Sequence, residues 1–272
     1  MPELPDVELF RRRSRAVFHR RIARVALDAP RLLESVSRAG LARALEGSRF
    51  VSSRRHGKHL FLGLERNGWL ALHFGMTGTL VPLATGAKKP QYTRLRIDFG
   101  DGGGLAYTSV RLLGRIGLTD DVRTFVAERR LGPDALDRRF DRRAFERIIA
   151  GRNAATPIKA VLMDQSLVAG IGNIYADEIL FQARVHPLTS VGRMTSAQVR
   201  AVHRSAGRVL KAAIECRADS EHLAQRLPRG FLLRVRSPGG RCPRCRQRLA
   251  TFKLAGRTGY YCWRCQPLGR RP

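Results

Sequence analysis

Met1-Pro2-Glu3-Leu4-Pro5-Asp6-Val7-Glu8 opens the chain, and the rest of the sequence is organised by how these eight residues are read. The residues alone leave two readings open. In one, Pro5 occupies the first position of a helix, where its missing N–H costs nothing, and the stretch is only a helix start. In the other, removal of Met1 leaves Pro2 with a free secondary amine. An α-amine titrates near pH ~8, so part of it is unprotonated at neutral pH and can attack an electrophilic carbon to form an iminium. Glu3 then stands one peptide bond away as a proton donor or acceptor. What decides between the readings is the company the stretch keeps.

The 272 residues carry 51 Lys+Arg against 22 Asp+Glu, a formal net charge of +29, while 43% hydrophobic residues suffice for a core. A folded chain this basic is built to meet a polyanion, with ribosome association or an anionic membrane surface as alternatives. No apolar run reaches the ~18 residues of a membrane span, and no signal-peptide core is present. The sequence therefore predicts a soluble, cytoplasmic protein without a membrane partner. Five cysteines, Cys216 and two close pairs, point in such a chain to metal rather than disulfides.

From Val7 the apolar residues recur at Phe10, Val17 and Phe18 between arginines, which predicts an amphipathic helix with a basic face. Short strand-like segments follow at 22–27, 49–54, 58–64, 69–74, 79–83, 95–99 and 105–108, with a short helix at 39–45. His56-Gly57, Asn67-Gly68 and Asp101-Gly102-Gly103-Gly104 are turn signals between some of the strands. This spacing predicts a β-sandwich or barrel ending near residue 130. Lys58 heads a face otherwise made of Leu60, Leu62 and Leu64. It is either a functional ammonium or a lysine reaching out at a strand end.

After Leu131-Gly132-Pro133-Asp134 helices take over, at 140–150, 157–163, 174–183 and 196–216, with Cys216 packing as a small hydrophobe. Gly170-Ile171-Gly172-Asn173 precedes the third of these. Such a turn can expose a helix N-terminus to a phosphate, with Asn173 as donor or N-cap, or can be purely structural. The most specific motif is Cys242-Pro-Arg-Cys245 and Cys262-Trp-Arg-Cys265, sixteen residues apart, which matches one structural Zn2+ held by four thiolates. Strands at 231–236 and 257–261 would make it a β-hairpin zinc finger, and the tail after Gln266 is expected to be disordered.

Together these motifs, in this order, resemble the formamidopyrimidine-DNA glycosylase/endonuclease VIII family over nearly the whole chain. MPELPDVE is similar to the family's Met-Pro-Glu-Leu-Pro-Glu-Val-Glu. Arg54-Arg55-His56-Gly57-Lys58, His73-Phe74-Gly75-Met76, and Met163-Asp164-Gln165 through Gly170-Ile171-Gly172-Asn173 to Glu178 resemble its internal signatures. Arg257, five residues before Cys262, matches its finger arginine. Leu4, where the endonuclease VIII branch has glycine, leans toward the formamidopyrimidine branch.

The resemblance implies an α+β fold with three parts: a catalytic β-sandwich with flanking helices at 1–130, a helix–two-turn–helix domain at 131–230, and the zinc finger and tail at 231–272. It implies a base-excision-repair glycosylase with AP lyase activity, acting on damaged double-stranded DNA as a monomer. No redox or nucleotide cofactor is implied, and a bacterial member would be associated with the nucleoid. Its catalytic residues fall on Pro2, Glu3 and Lys58. Its phosphate-binding residues fall on Lys159, Asn173 and Arg257, with His73 as a further DNA contact. The side chains that fill the hole left by the extruded base fall on Met76, Arg111 and Leu113. Departures from the family accompany this. Leu113 replaces a wedge phenylalanine, Asp6 replaces a glutamate, and only Leu227-Pro228-Arg229-Gly230 precedes the Phe231 strand where a longer loop usually covers an oxidised purine. 8-Oxoguanine is therefore expected to be a poor substrate. The competing readings are a non-catalytic damaged- or structured-DNA-binding protein on the same scaffold and a zinc-ribbon RNA-binding protein.

Overall fold

A computed structural model describes residues 2–219 and 222–268. The expected removal of Met1 and the tail beyond Leu268 lie outside the described residues. The chain divides into two compact units, 1–130 and 131–272.

The first unit runs α1 (Leu4–Ser14), β1 (Ile22–Leu27), β2 (Leu33–Glu34), α2 (Arg38–Leu45), β3 (Phe50–His56), β4 (His59–Leu64), β5 (Trp69–His73), β6 (Thr79–Leu83), β7 (Thr93–Phe99), β8 (Gly104–Thr108), β9 (Arg115–Thr119) and α3 (Val122–Glu128). Two sheets form, one ordered β1-β7-β8-β6 and the other β2-β9-β5-β4-β3. Every pairing is antiparallel except β2 with β9. Alternation explains the faces: in β7, Thr93, Leu95, Ile97 and Phe99 are buried while the residues between them are half-buried. Leu60, Leu62, Leu70, Leu72 and Ile116 of one sheet share a single core with Leu80, Leu95, Ile97 and Tyr107 of the other. Phe61 turns the opposite way and packs with Ala71, Val122 and Phe125, so α3 covers the outer face of the second sheet. That is the expected sandwich, and no closed barrel forms.

Three elements of this unit differ from expectation. α1 begins at Leu4 rather than Val7, with Pro5 in its second position, because Asp6 accepts the Glu3 backbone N–H at 2.8 Å and starts the helix early. Asp6 thus keeps a capping role despite its shorter side chain. Lys58 lies in the two-residue turn between β3 and β4 rather than on a strand face. The strand read to Phe74 stops at His73, and Met76 lies in the turn that follows.

The second unit contains α4 (Arg142–Ala150), α5 (Ile158–Met163), α6 (Asn173–Ala183), α7 (Ser196–Glu215), α8 (Leu223–Arg226), β10 (Ala250–Leu254) and β11 (Arg257–Tyr261). α7 starts on a reciprocal Thr195–Gln198 cap and ends at Cys216, which is half-buried. Phe231–Arg236 is not a strand. Leu232–Val235 forms a 3-10 turn, because the Glu178 carboxylate accepts the Leu233 N–H at 2.8 Å and no strand pairs with it among the described residues. The finger hairpin is β10–β11 instead, closed by Ala255 and Gly256, both at positive φ. Phe181 of α6 shares a core with Leu232, Cys242, Leu249 and Cys262, which seats the finger on the helices.

Candidate active site and nucleic-acid interface

Pro2 and Glu3 are both shielded from solvent, and Glu3 has no exposed surface. α1 holds this end by its other residues. Phe10 packs on Phe74 with ring centroids 4.6 Å apart, and Phe74 stacks on Tyr107 at 5.5 Å. Glu8, nearly buried, takes two 2.8 Å bonds from Arg11, one of 3.0 Å from Arg12 and one of 3.4 Å from Arg55 of β3. Burial alone would push the Glu8 carboxyl up, but the hydrogen bonds from Arg11 and Arg12 and the Arg55 charge outweigh it and hold it at about 2. Part of the arginine run is therefore spent inside the protein, anchoring α1 to the strand that leads into the Lys58 turn. Lys58 itself is half-buried.

His73 ends β5 beside the turn that carries Met76. Its Nδ1 accepts the Gly75 N–H at 3.3 Å, and its ring lies 4.9 Å from that of His59, its partner across the strands. Burial, then the charges of Lys58 and Arg115, lower the His73 pKa to about 4; burial, then His73 and Arg129, hold His59 well below the ordinary range. At neutral pH His73 is an uncharged imidazole whose Nε2–H can donate to an anion. Gly75, at φ +57, lies so close to Leu113 that a Cβ there would overlap the Leu113 carbonyl. This fuses the Met76 turn to the segment carrying Arg111 and Leu113, and the Arg111 N–H donates to Thr77 Oγ1 at 3.0 Å. Met76, Arg111 and Leu113 are all exposed.

In the second unit Gln165 organises the turns before α6. Its Nε2 donates to the Met163 and Ile171 carbonyls at 2.9 and 2.7 Å, and its Oε1 accepts the Gly170 N–H at 3.0 Å. Gly172 is the N-cap of α6, so Asn173 is the first helical residue and not the cap. The Asn173 Nδ2 donates to the Thr258 carbonyl at 3.0 Å, one residue from Arg257, which stands exposed at the start of β11. The helix N-terminus and the hairpin tip are thus tied together.

Lys159 is not at that surface. It has no exposed area, and its ammonium donates to Asp177 Oδ1 at 2.5 Å, 4.8 Å from the Phe252 ring centroid. Asp177 Oδ2 also accepts from Arg236 Nε at 2.9 Å and from the Tyr260 N–H at 3.0 Å. The expected direct phosphate contact by Lys159 is therefore corrected: a fully enclosed ammonium serves the joint between α5, α6 and the finger. Asp177 and Arg236 were not read from the sequence as functional. Asp177 lies within the motif quoted from 163 to 178, but nothing in a lone acid there announces its three donors.

The four cysteine Sγ atoms lie within 4.8 Å of one another, with Cys245–Cys262 at 3.4 Å and Cys242–Cys265 at 3.8 Å. A tetrahedron of thiolates ~2.3 Å from zinc has edges of about 3.8 Å, so the donor set fits one structural Zn2+. Gln266, almost fully buried, accepts the Cys262 N–H at 3.0 Å and donates to the Val185 carbonyl at 2.8 Å, fixing the metal end to the exit of α6. Among the described residues no helix is long and apolar enough to cross a membrane.

Family models match three stretches: the formamidopyrimidine-DNA glycosylase N-terminal domain at 1–116, its H2TH domain at 131–224, and the zinc finger found in FPG and IleRS at 239–268. The formamidopyrimidine-DNA glycosylase of Symbiobacterium thermophilum is 36% identical over 279 residues, covering 98% of this chain and 90% of that protein. That of Thermomicrobium roseum is 36% identical over 293 residues, covering 98% and 100%. Among solved structures, the Lactococcus lactis enzyme bound non-covalently to DNA containing an AP site superposes with a TM-score of 0.85 at 28% identity, covering 98% of this chain and 100% of that one. Its complex with DNA containing Fapy-dG gives a TM-score of 0.87 at 29% identity with the same coverage. With all three family domains present in order and relatives matched end to end, this chain belongs to the formamidopyrimidine-DNA glycosylase family of base-excision-repair enzymes.

Proposed function

We propose that the protein is a bifunctional glycosylase and AP lyase that acts on damaged duplex DNA through a Schiff base on Pro2. The observation that carries this is the enclosure of Pro2 and Glu3 at the head of a helix anchored both to Phe74 and to Arg55. The target nucleotide has to leave the stack, because its sugar carbon is out of reach in an intact duplex. The Pro2 amine attacks C1′ and the bond to the damaged base breaks, with Glu3 moving protons at base and sugar. Glu3 then protonates O4′ as the C1′–O4′ bond opens, and the iminium so formed acidifies the C2′ proton. Its loss expels the 3′ phosphate by β-elimination, and a second elimination expels the 5′ phosphate. Hydrolysis then returns the free amine.

Lys58 holds a phosphate or bridges to the lesion, and His73 donates to the backbone as a neutral imidazole. Met76, Arg111 and Leu113 occupy the space that the extruded base leaves, an apolar wedge with one cation. Asn173 and Arg257 grip phosphates together. The 1–130 unit is the catalytic part. The helix–two-turn–helix segment to 230 and the zinc finger beyond it bind the backbone.

For lesion choice we propose weak action on 8-oxoguanine and stronger action on ring-opened purines, oxidised pyrimidines and abasic sites. The cover over a purine would come from the stretch after α7, and the residues before the 3-10 turn are tied down. The Phe231 N–H donates to the Pro228 carbonyl at 3.0 Å, Gln182 Nε2 to the Gly230 carbonyl at 3.1 Å and Arg234 Nη1 to the Leu227 carbonyl at 2.6 Å. α8 takes up four residues of the same stretch, so the four-residue link read from the sequence joins a helix to a 3-10 turn rather than to a strand. Single-turnover excision on 8-oxoguanine, formamidopyrimidine, thymine glycol and abasic duplexes tests this lesion choice. Fastest removal of 8-oxoguanine opposite cytosine would overturn the lesion ordering. Binding without release of any base or cleavage of any strand would instead favour the non-catalytic reading.

A further inference from the structure

Seven large hydrophobic side chains are exposed among the described residues, and four of them, Met76, Tyr92, Val110 and Leu113, stand on three adjoining segments of the first unit. Buried Ser109 knots two of those segments, and the Arg111 N–H bond to Thr77 Oγ1 joins the third. The Ser109 N–H donates to the Tyr92 carbonyl at 3.0 Å, its carbonyl accepts from Arg94 Nε at 2.8 Å, and its Oγ accepts the Leu112 N–H at 3.2 Å. Tyr92 is the one aromatic side chain of the four. It is 45% exposed, and its backbone sits at φ +59, a region that bulky side chains rarely adopt. The Thr93 N–H and hydroxyl both donate to the Pro90 carbonyl, which holds the chain in that turn. The Arg94 guanidinium lies 5.7 Å from the ring centroid. An aromatic surface kept in strained backbone and left to water is a feature that proteins retain at contact sites.

The surroundings say what the contact is. Segments 74–78, 88–94 and 109–115 contain no acidic residue, while Lys88, Arg94, Arg111 and Arg115 are basic, and Lys89 is paired with Asp28 at 2.6 Å. A ring among apolar tips with a cationic rim is complementary to a nucleobase flanked by phosphates, and it suits an acidic or purely apolar protein surface less well. We infer that Tyr92 is a further DNA-contacting residue, whose ring stacks on a nucleobase next to the site that Met76, Arg111 and Leu113 fill. This rests on the reading of the protein as acting on duplex DNA with an extruded nucleotide. It also supplies the aromatic surface that Leu113 does not.

The test uses the full-length, zinc-loaded protein and a duplex carrying a tetrahydrofuran abasic analogue, with 2-aminopurine placed in turn opposite and beside it. Affinity at fixed salt, its salt slope and 2-aminopurine fluorescence are measured for wild type, Tyr92→Phe and Tyr92→Asn. Asparagine tolerates positive φ, so the backbone turn is kept while the ring is lost, and melting curves check that the variant is folded. Tyr92→Phe should match wild type. Tyr92→Asn should lose roughly five- to a hundred-fold in affinity for the abasic duplex, the range expected for one base–aromatic stack. Its salt slope should be unchanged, because no charge is removed, and the fluorescence change on binding should shrink. Wild-type affinity and fluorescence retained by Tyr92→Asn would overturn this assignment alone. Absence of any abasic preference in the wild-type protein would overturn it together with the reading it rests on.

Discussion

Lys159 and Arg257 are cations of the same unit, yet only Arg257 has surface to offer a phosphate. Lys159 is enclosed and bound to Asp177 at 2.5 Å, while Arg257 stands exposed at the hairpin tip beside the carbonyl that Asn173 holds. A cation that neutralises a phosphate releases a counterion, so losing it flattens the salt dependence by about one unit of slope. Arg257→Ala should do this and weaken binding to all lesion duplexes alike. Lys159→Ala should leave the slope intact and lower stability by about 3 kcal/mol, because it removes one partner of a buried ion pair. Salt titrations and melting curves on the two variants decide this. A flattened slope with unchanged stability in Lys159→Ala would return that residue to the phosphate surface.

At the scale of elements, α6 and the 3-10 turn at Leu232–Val235 are joined by Glu178, which has no exposed surface. Burial pushes its carboxyl up to about 7, against hydrogen bonds from Gln182 and the Leu233 N–H that favour the charged form. The folded state therefore holds this proton more tightly than the unfolded chain, whose carboxyl titrates near 4.5. Stability from this group is complete below about pH 4.5 and falls as pH rises through about 7, by on the order of 3 kcal/mol in total. Glu178→Gln should flatten that fall in denaturant titrations between pH 5 and 8; an unaltered slope would show that other groups govern it. The same joint explains where the sequence misled. Phe231, Leu233 and Val235 alternate like a strand, but a single buried carboxylate takes the N–H that a strand partner would have taken. β9 has Gly117 in its centre and a neighbour, β2, only two residues long, whereas β7 shows Leu95, Ile97 and Phe99 in alternation ahead of the Asp101-Gly102-Gly103-Gly104 turn. The Pro2, Glu3, Asn173 and four-cysteine positions were legible as motifs. Asp177 was not, since its three donors, Lys159, Arg236 and the Tyr260 N–H, come together only in the folded chain.

For the whole molecule, charge and metal set the terms of binding. A net charge of +29 gives attraction to any polyanion, and the zinc finger holds part of it in a defined shape. Four-thiolate sites couple folding to metal. Cys262→Ser should release the zinc, melt the core that Cys242 and Cys262 share with Phe181 and Leu232, and reduce tight duplex binding to weak, salt-sensitive association. Tight binding by a verified zinc-free protein would make the finger dispensable. The central claim, however, is the covalent one, that the amine of Pro2 forms a Schiff base with the sugar. It is tested most directly by borohydride reduction of the protein on an abasic duplex, followed by mass mapping of the cross-linked peptide. The account predicts an adduct on the peptide beginning at Pro2, greatly reduced by Pro2→Gly or by an N-terminal extension that survives processing, with duplex binding largely kept. An undiminished adduct in the blocked protein, or one mapped to an internal lysine, would contradict it.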